Sequence, residues 1–357
     1  MFSPITPTRR AVRASYFVLR TCRGRRGGFT LVELLVVITI IIILMGLLTP
    51  VVINALTRAK EARILAEINI IDGGFKKYKA DVGALPPSDF TKIGTANYSG
   101  GNPYTPVFTF TPPPGVSSPQ LLALANHIQK AFPRCNVYNE IGAIICSNSD
   151  YPNIAPAPVS PAQAIVFWLS GFCSDKEHPI SGLLTLGPSG NSIVLNPNAT
   201  RDAGPMEFDR TRWKTVGKSL TPVYCAADTP GVPYVYFASQ SYSLHAAAYS
   251  GRTNLFAGTA TPYDTSVWNQ GGAGILRPYA ADPVPPIGTP PTPVNPNSFQ
   301  IISPGLDSDF GGGGVMDDGT KGNVVVAYSN SGTFYGTGDK DNLTNFSSNT
   351  LGDSIPR

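Results

Sequence analysis

The sequence predicts an α+β protein in which a long N-terminal α-helix packs on an antiparallel β-sheet. Three observations predict it. An apolar run without a single charge extends from Leu34 to Thr57. Ile64, Ile68, Ile71, Phe75 and Tyr78 then recur at spacings of four, three, four and three, which is one stripe along a helix. Beyond Pro86-Pro87 the chain is rich in glycine, proline and short β-branched or aromatic segments, and those that read as strands fall mostly in the C-terminal half.

The first 28 residues hold seven arginines and no acid. The run that follows is long enough to cross the ~30 Å hydrocarbon layer of a bilayer as a helix. Glu33 stands at its head, where a charge is costly and marks function. By the positive-inside rule the first 28 residues stay in the cytoplasm and the polypeptide after the helix lies across the membrane. Gly46 and Pro50 are tolerated in such a span when neighbours satisfy the freed backbone groups. Past Arg58 the pattern turns amphipathic. The polar face carries Arg58, Lys60, Glu61, Arg63, Glu67, Lys76, Lys77 and Lys79. The helix is expected to run to about Ala80, with Asp72-Gly73-Gly74 as a weak point and Gly83 with Pro86-Pro87 as the stop.

The stretch Arg25-Arg26-Gly27-Gly28-Phe29-Thr30-Leu31-Val32-Glu33 resembles the class III signal of type IV pilins and type II secretion pseudopilins. A secretory signal would place its small residues after the apolar run, whereas here they precede it. The resemblance implies cleavage by a prepilin peptidase between Gly28 and Phe29, N-methylation of Phe29, and an assembly role for Glu33, the fifth mature residue. Pro50 falls where many pilins carry a helix-kinking proline. Tyr78-Lys79-Ala80-Asp81-Val82-Gly83-Ala84-Leu85-Pro86 is similar to the helix end of G-type (major) pseudopilins. Relative to a short member of that group, residues 90–295 form a large, loop-rich insertion in a pilin-like fold.

The resulting division is a leader (1–28), a transmembrane and polymerisation helix (29–57), the amphipathic half of that helix (58–87), an inserted α+β head region (88–298) and C-terminal strands with an acidic loop (299–357). The implied partners are further copies of the chain through the helix, other pseudopilins, an inner-membrane assembly platform and the peptidase. The implied location is the bacterial inner membrane, single-pass, with the head in the periplasm or outside the cell in a fibre. Glu33 in hydrocarbon needs a cation. Arg58 is 25 residues away, so the α-amine of Phe29, its own or that of the preceding subunit, is the available one.

The leader carries seven of the 27 basic residues and none of the 23 acids, so the formal charge of +4 becomes −3 on its removal. That balance excludes the basic footprint of a duplex-binding protein, and no nucleic-acid partner is expected. Cys22 leaves with the leader, and Cys135, Cys146, Cys173 and Cys225 remain. An even count in an oxidising compartment suggests two disulfides, for which four cysteines allow three pairings. Cys135 with Cys146, across a short hairpin, and Cys173 with Cys225 are the expected ones. No CxxC spacing points to zinc.

Within residues 88–298, Val107 to Thr111 reads as a strand, Gln120 to Phe132 as an amphipathic helix, Ile141 to Cys146 as a strand and Pro161 to Gly171 as a buried helix. Ile193 to Leu195, Tyr234 to Ala238, Phe299 to Ile302 and Val324 to Tyr328 read as further strands. Seven prolines in residues 283–296 mark a stiff linker or long loop. Catalytic chemistry finds little support. His127, His178 and His245 are scattered, and His127 sits on the amphipathic helix as a surface or hydrogen-bonded residue. Gly187-Pro188-Ser189-Gly190 is not a GxSxG elbow, and the Gly311 to Gly314 run follows no phosphate-binding pattern. The aromatic set Tyr224, Tyr234, Tyr236, Phe237, Tyr242 and Tyr249 reads as sheet core rather than as a carbohydrate surface. The chain is expected not to be an enzyme.

Phe299-Gln300-Ile301-Ile302-Ser303-Pro304-Gly305-Leu306-Asp307-Ser308-Asp309-Phe310-Gly311 resembles the calcium loop of G-type pseudopilins. The resemblance implies a calcium ion held by the Leu306 carbonyl, Asp307 and Asp309, with Asp339 and Asp341 from a second acidic loop and Asp317 and Asp318 as substitutes. Calcium takes six to eight oxygens of these kinds. The expected function is thus a structural subunit of a periplasmic pseudopilus in a type II protein secretion system. The alternative is a minor type IV pilin or surface pilus subunit whose head binds a ligand or DNA.

Overall fold

The computed structural model describes residues 30–88, 95–98, 108–111, 119–146, 159–187, 193–215, 219–229, 231–240, 242, 263–264, 275–276, 278–281, 292–310, 327–328 and 340–353. The chain divides into two units, residues 1–55 and 56–357. A single helix, α1 (Leu31–Val82), contributes to both. In the first unit every described residue is exposed.

In the second unit the sequence stripe becomes the core. Ile64, Ile68, Ile71 and Phe75 are fully buried and Tyr78 nearly so. Asp72-Gly73-Gly74 does not interrupt the helix. A Cβ on Gly74 would stand 3.2 Å from Leu169 and 3.3 Å from Met206, so the bare glycine lets those side chains close on α1. Gly83, at φ +78°, ends the helix: its N–H donates to Lys79 O at 2.8 Å, while Lys130 Nζ donates to its carbonyl at 2.9 Å.

The remaining elements, in chain order, are β1 (Thr95–Tyr98), β2 (Phe108–Thr111), α2 (Pro119–Ala131), α3 (Val137–Cys146), α4 (Gln163–Leu169), β3 (Leu184–Leu186), β4 (Ile193–Leu195), β5 (Trp213–Lys214), β6 (Val223–Tyr224), β7 (Val235–Ala238), β8 (Tyr263–Asp264), β9 (Ile275–Leu276), β10 (Ala280–Ala281), β11 (Phe299–Ser303), β12 (Ala327–Tyr328) and β13 (Leu343–Thr344). Among the described residues most of the sheets are two-stranded. The three-stranded one, ordered β13-β11-β7, is antiparallel, with Ile301 opposite Tyr236 and Ile302 opposite both Val235 and Thr344. Both its faces are buried. Phe299, Ile301, Tyr236 and Leu343 join the α1 core, while Ile302, Val235 and Phe237 pack with Tyr279, Phe310 and Leu351. Such two-sided burial explains why β7 and β11 read as continuous apolar runs rather than alternating ones. The Phe75 ring stacks on Tyr236 at 3.9 Å between centroids, which seats α1 on the sheet. With Ser303, Gln300 is one of two buried polar residues in β11. Its amide accepts from Tyr279 N–H and donates to the carbonyls of Tyr279 and Val294 at 2.7–2.8 Å.

One expected strand is a helix. Ile141 to Cys146 lies in α3. A short apolar run does not distinguish strand from buried helix, and here non-local contacts decide. A Cβ on Gly142 would stand 2.8 Å from Phe108 Cβ, so α3 packs against β2 at its glycine. Glu140 is fully buried and accepts hydrogen bonds from Ile180 N–H, Ser181 N–H, Ser181 Oγ and Asn139 Nδ2. Burial raises its pKa, and the donors from Ser181, Ile180 and Asn139 oppose that shift.

With the hairpin gone, its disulfide is gone too. Cys135, Cys146, Cys173 and Cys225 are four separate buried thiols, and neither expected pairing is formed. The other expected elements match closely: α2, α4, β2, β4, β7 and β11 fall where the sequence placed them, and β12 covers the end of the Val324 to Tyr328 segment. The aromatic set is sheet core, with Tyr224, Tyr234, Tyr236, Phe237 and Tyr242 all buried. Tyr249, His245, the Gly311 to Gly314 run and most of the proline-rich stretch lie outside the described residues.

Candidate functional site: the N-terminal helix and the acidic turn

Thr30 caps α1. Its N–H and Oγ1 both donate to Glu33 Oε2 at 2.9 Å, and Glu33 N–H donates back to Thr30 Oγ1 at 3.2 Å. This is a capping box, with Thr at the cap and Glu three residues on. The reading of Glu33 as an acid in need of a cation missed it, although the T-x-x-E spacing is visible in the sequence. Oε1 makes no hydrogen bond or ion pair among the described residues. Gly28 and Phe29 lie outside them.

Among the described residues α1 is the one helix long and apolar enough to cross a membrane. Its first half presents leucine, isoleucine and valine outward, Leu31 with 78% of its surface exposed. Two threonine hydroxyls inside that stretch are satisfied locally, as hydrocarbon requires. Thr39 Oγ1 donates to Leu35 O at 2.8 Å and Thr49 Oγ1 to Met45 O at 2.7 Å.

Residues 23–49 match the family described as the prokaryotic N-terminal methylation motif. The chain carries a type IV pilin-like class III signal. In a pilin-like subunit this signal implies processing by a prepilin peptidase and pilus-like assembly, and with the apolar helix it points to membrane anchoring. No curated protein and no solved structure matches the chain.

The pilin-like helix is tied to the head through its polar face. Arg212 Nη1 and Nη2 donate to Glu67 Oε1 and Oε2 at 2.9 and 2.5 Å, and Tyr234 Oη donates to Oε2 at 2.5 Å. Asn345 Nδ2 donates to Asp72 Oδ1 at 3.1 Å, and Arg58 pairs with Asp353 at 3.1 Å. Sequence reasoning placed Glu67 on the solvent face and saw no partner for it.

The structure brings the two acidic loops together. Asp341 Oδ2 accepts the N–H groups of Leu306 and Asp307 at 2.8 and 3.0 Å, and Asp307 Oδ1 accepts that of Asp309 at 2.8 Å. Gly305 (φ +67°) and Ser308 (φ +64°) form the left-handed positions of the turn, and a side chain on Gly305 would collide with Asp341. Burial pushes the Asp341 carboxyl up to about 6. Its Oδ1 is buried without a hydrogen-bond partner among the described residues. That orphan oxygen fits a cation. No set of three His, Cys, Asp or Glu side chains gathers as a metal site among the described residues. Asp339, Asp317 and Asp318 lie outside them.

Proposed function

We propose that the chain is a structural subunit of a periplasmic, pilus-like fibre, the pseudopilus of a type II protein secretion system, assembled through α1. The observation that carries this reading is the methylation motif at residues 23–49 running into a helix whose first half exposes mostly leucine, isoleucine and valine. The resemblance of Tyr78 to Pro86 to the helix end of G-type pseudopilins supports the finer assignment to secretion. In this reading the peptidase cuts after Gly28, Phe29 becomes the methylated N-terminus, and the head stands on the periplasmic side of the inner membrane.

Glu33 then has two tasks on one carboxylate. Oε2 holds the Thr30 cap, and Oε1 is left for the α-amine of Phe29 of the preceding subunit, which sets the axial register of the polymer. Leaving that carboxylate without a cation in hydrocarbon is costly, which favours the pairing. Further pseudopilins and an inner-membrane platform are the partners in this reading. A calcium ion at Asp341, Asp307, Asp309 and the Leu306 carbonyl, with Asp339, belongs to the same proposal. It would neutralise acids that otherwise crowd one turn.

The experiment is deletion of the gene followed by complementation. Loss of protein secretion with pilus-dependent motility intact supports the pseudopilus. Loss of motility with secretion intact supports the pilus subunit instead.

A further inference from the structure

The head contains a cleft of about 820 Å³, in the range of sites that take small organic ligands. Its apolar wall includes Val166, Phe167, Phe172, Met206, Phe208 and Trp213. Phe167, Met206, Phe208 and Trp213 are only half-buried, so the aromatic surface remains available. The floor is held in place by backbone. Asp202 N–H donates to Phe172 O at 2.9 Å, and side chains on Gly171 (φ +88°) or Gly204 would run into the facing strand of chain.

Arg201 and Arg210 line the same cleft. Arg201 Nη1 is fixed by Ser170 Oγ at 2.8 Å and Gly171 O at 3.2 Å, which leaves the other edge of the guanidinium uncommitted by these bonds. The Arg210 guanidinium lies over the Trp213 ring, its Cζ 5.5 Å from the centroid. Neither arginine forms an ion pair among the described residues. Two acids share the wall. Asp202 is taken by Ser174 and by Lys176, which lies outside the lining; with Lys176 counted, three cations face two acids, Asp202 and Glu207, and one positive charge is in excess. Desolvation and, less, the like charge of Arg210 lower the pKa of Arg201, with Cys173 opposing.

We propose that this cleft binds an amphipathic monocarboxylate, with its apolar body against Phe167, Phe208 and Trp213 and its carboxylate on Arg201 and Arg210. A planar guanidinium edge matches a carboxylate in two parallel hydrogen bonds. A single negative charge balances the excess, whereas Glu207 repels a dianion. The site is independent of how α1 assembles.

The test uses the full mature chain in lipid nanodiscs, titrated calorimetrically with 4-phenylbutyrate, and in parallel with 4-phenylbutan-1-ol and 4-phenylbutyl phosphate. Empty nanodiscs supply the blank for partition into lipid. The expected result is saturable 1:1 binding of the carboxylate, with the alcohol at least about tenfold weaker, the loss expected for one charge-assisted hydrogen bond. Arg210→Gln, whose side chain anchors no backbone, should weaken carboxylate binding about tenfold with an unchanged melting temperature. Arg201→Gln should do the same to affinity, and Arg58→Gln, outside the cleft, should do nothing. No saturable heat, equal binding of the alcohol, tighter binding of the phosphate, or an Arg210→Gln variant that binds like wild type would each overturn the assignment.

Discussion

Glu67 of the helix and Arg212 of the head, 145 residues apart in sequence, meet in a two-pronged ion pair with 14% and 16% of their side chains exposed. Tyr234 completes the carboxylate's shell, and Arg212 in turn donates to the carbonyl of Cys225 through Nε and Nη2. Arg212 also lies over the Tyr224 ring at 4.4 Å. Removing Glu67 leaves Arg212 half-buried without its acid, and removing Arg212 leaves Glu67 with only the more distant Arg63, at 3.8 Å. Glu67→Gln or Arg212→Met is therefore expected to cost about 2–4 kcal/mol, and Tyr234→Phe about 1 kcal/mol. Urea unfolding of each variant checks the ranking, and a double variant costing the full sum of the singles would contradict coupling between them.

Of the two readings of His127, surface or hydrogen-bonded, the structure shows the second. His127 is buried, bonds Tyr78 Oη through Nε2 at 2.9 Å, and stands edge-on to Trp168. Burial, with a smaller contribution from Lys130, lowers its pKa to about 4. The folded state thus favours the neutral ring. The stability this contributes is fully present above the unfolded value of about 6.5 and is lost as pH falls through about 4. Melting temperature followed from pH 7 to pH 4 should drop more steeply for wild type than for His127→Gln; parallel curves would refute the role.

All four mature cysteines are expected to be reduced in the folded protein. Burial raises the pKa of Cys135 to about 11 and of Cys146 to about 12, and that of Cys225 in the same direction. Little reactive thiolate is present at neutral pH. Alkylation should be slow in buffer and should add four labels after unfolding without reductant. Two labels or none would restore the disulfides.

The calcium proposal predicts a change of sign in the pH response of the C-terminal turn. Without the ion, burial keeps the Asp341 carboxyl protonated to about pH 6. Its contribution to stability is then full below about 4 and lost as pH rises through about 6. A bound cation would favour the carboxylate and reverse that trend. Melting at pH 7 should rise with calcium, fall with chelator, and respond to neither in Asp341→Asn. A wild-type melting temperature indifferent to both would remove calcium from the account.

What was legible in the sequence was what repeats at short range. The Ile64-to-Tyr78 stripe is written at helical period, and β7 and β11 announce themselves as apolar runs between turn residues. The convergence of Leu306, Asp307 and Asp341 was reached through a resemblance, since 34 residues separate the two acids. Other features depend on contacts that no local pattern encodes. Ile141 to Cys146 is helical because Gly142 meets Phe108 and Glu140 meets Ser181. Glu67 looks like one more solvent charge until Arg212 arrives from the head. The described residues that line the cleft between Val166 and Pro222 include arginines with no motif spacing. The Thr30–Glu33 cap is different: its signal was present and was absorbed into a longer motif.

The most direct measurement of the central claim is the N-terminus of the protein extracted from membranes, read by intact-mass and peptide mass spectrometry. A pilin-like subunit begins at Phe29 and carries one methyl group on its α-amine, with Glu33 retained as the fifth residue. A chain that still begins at Met1, or one cut beyond Leu48 so that the apolar helix is lost, would contradict the account.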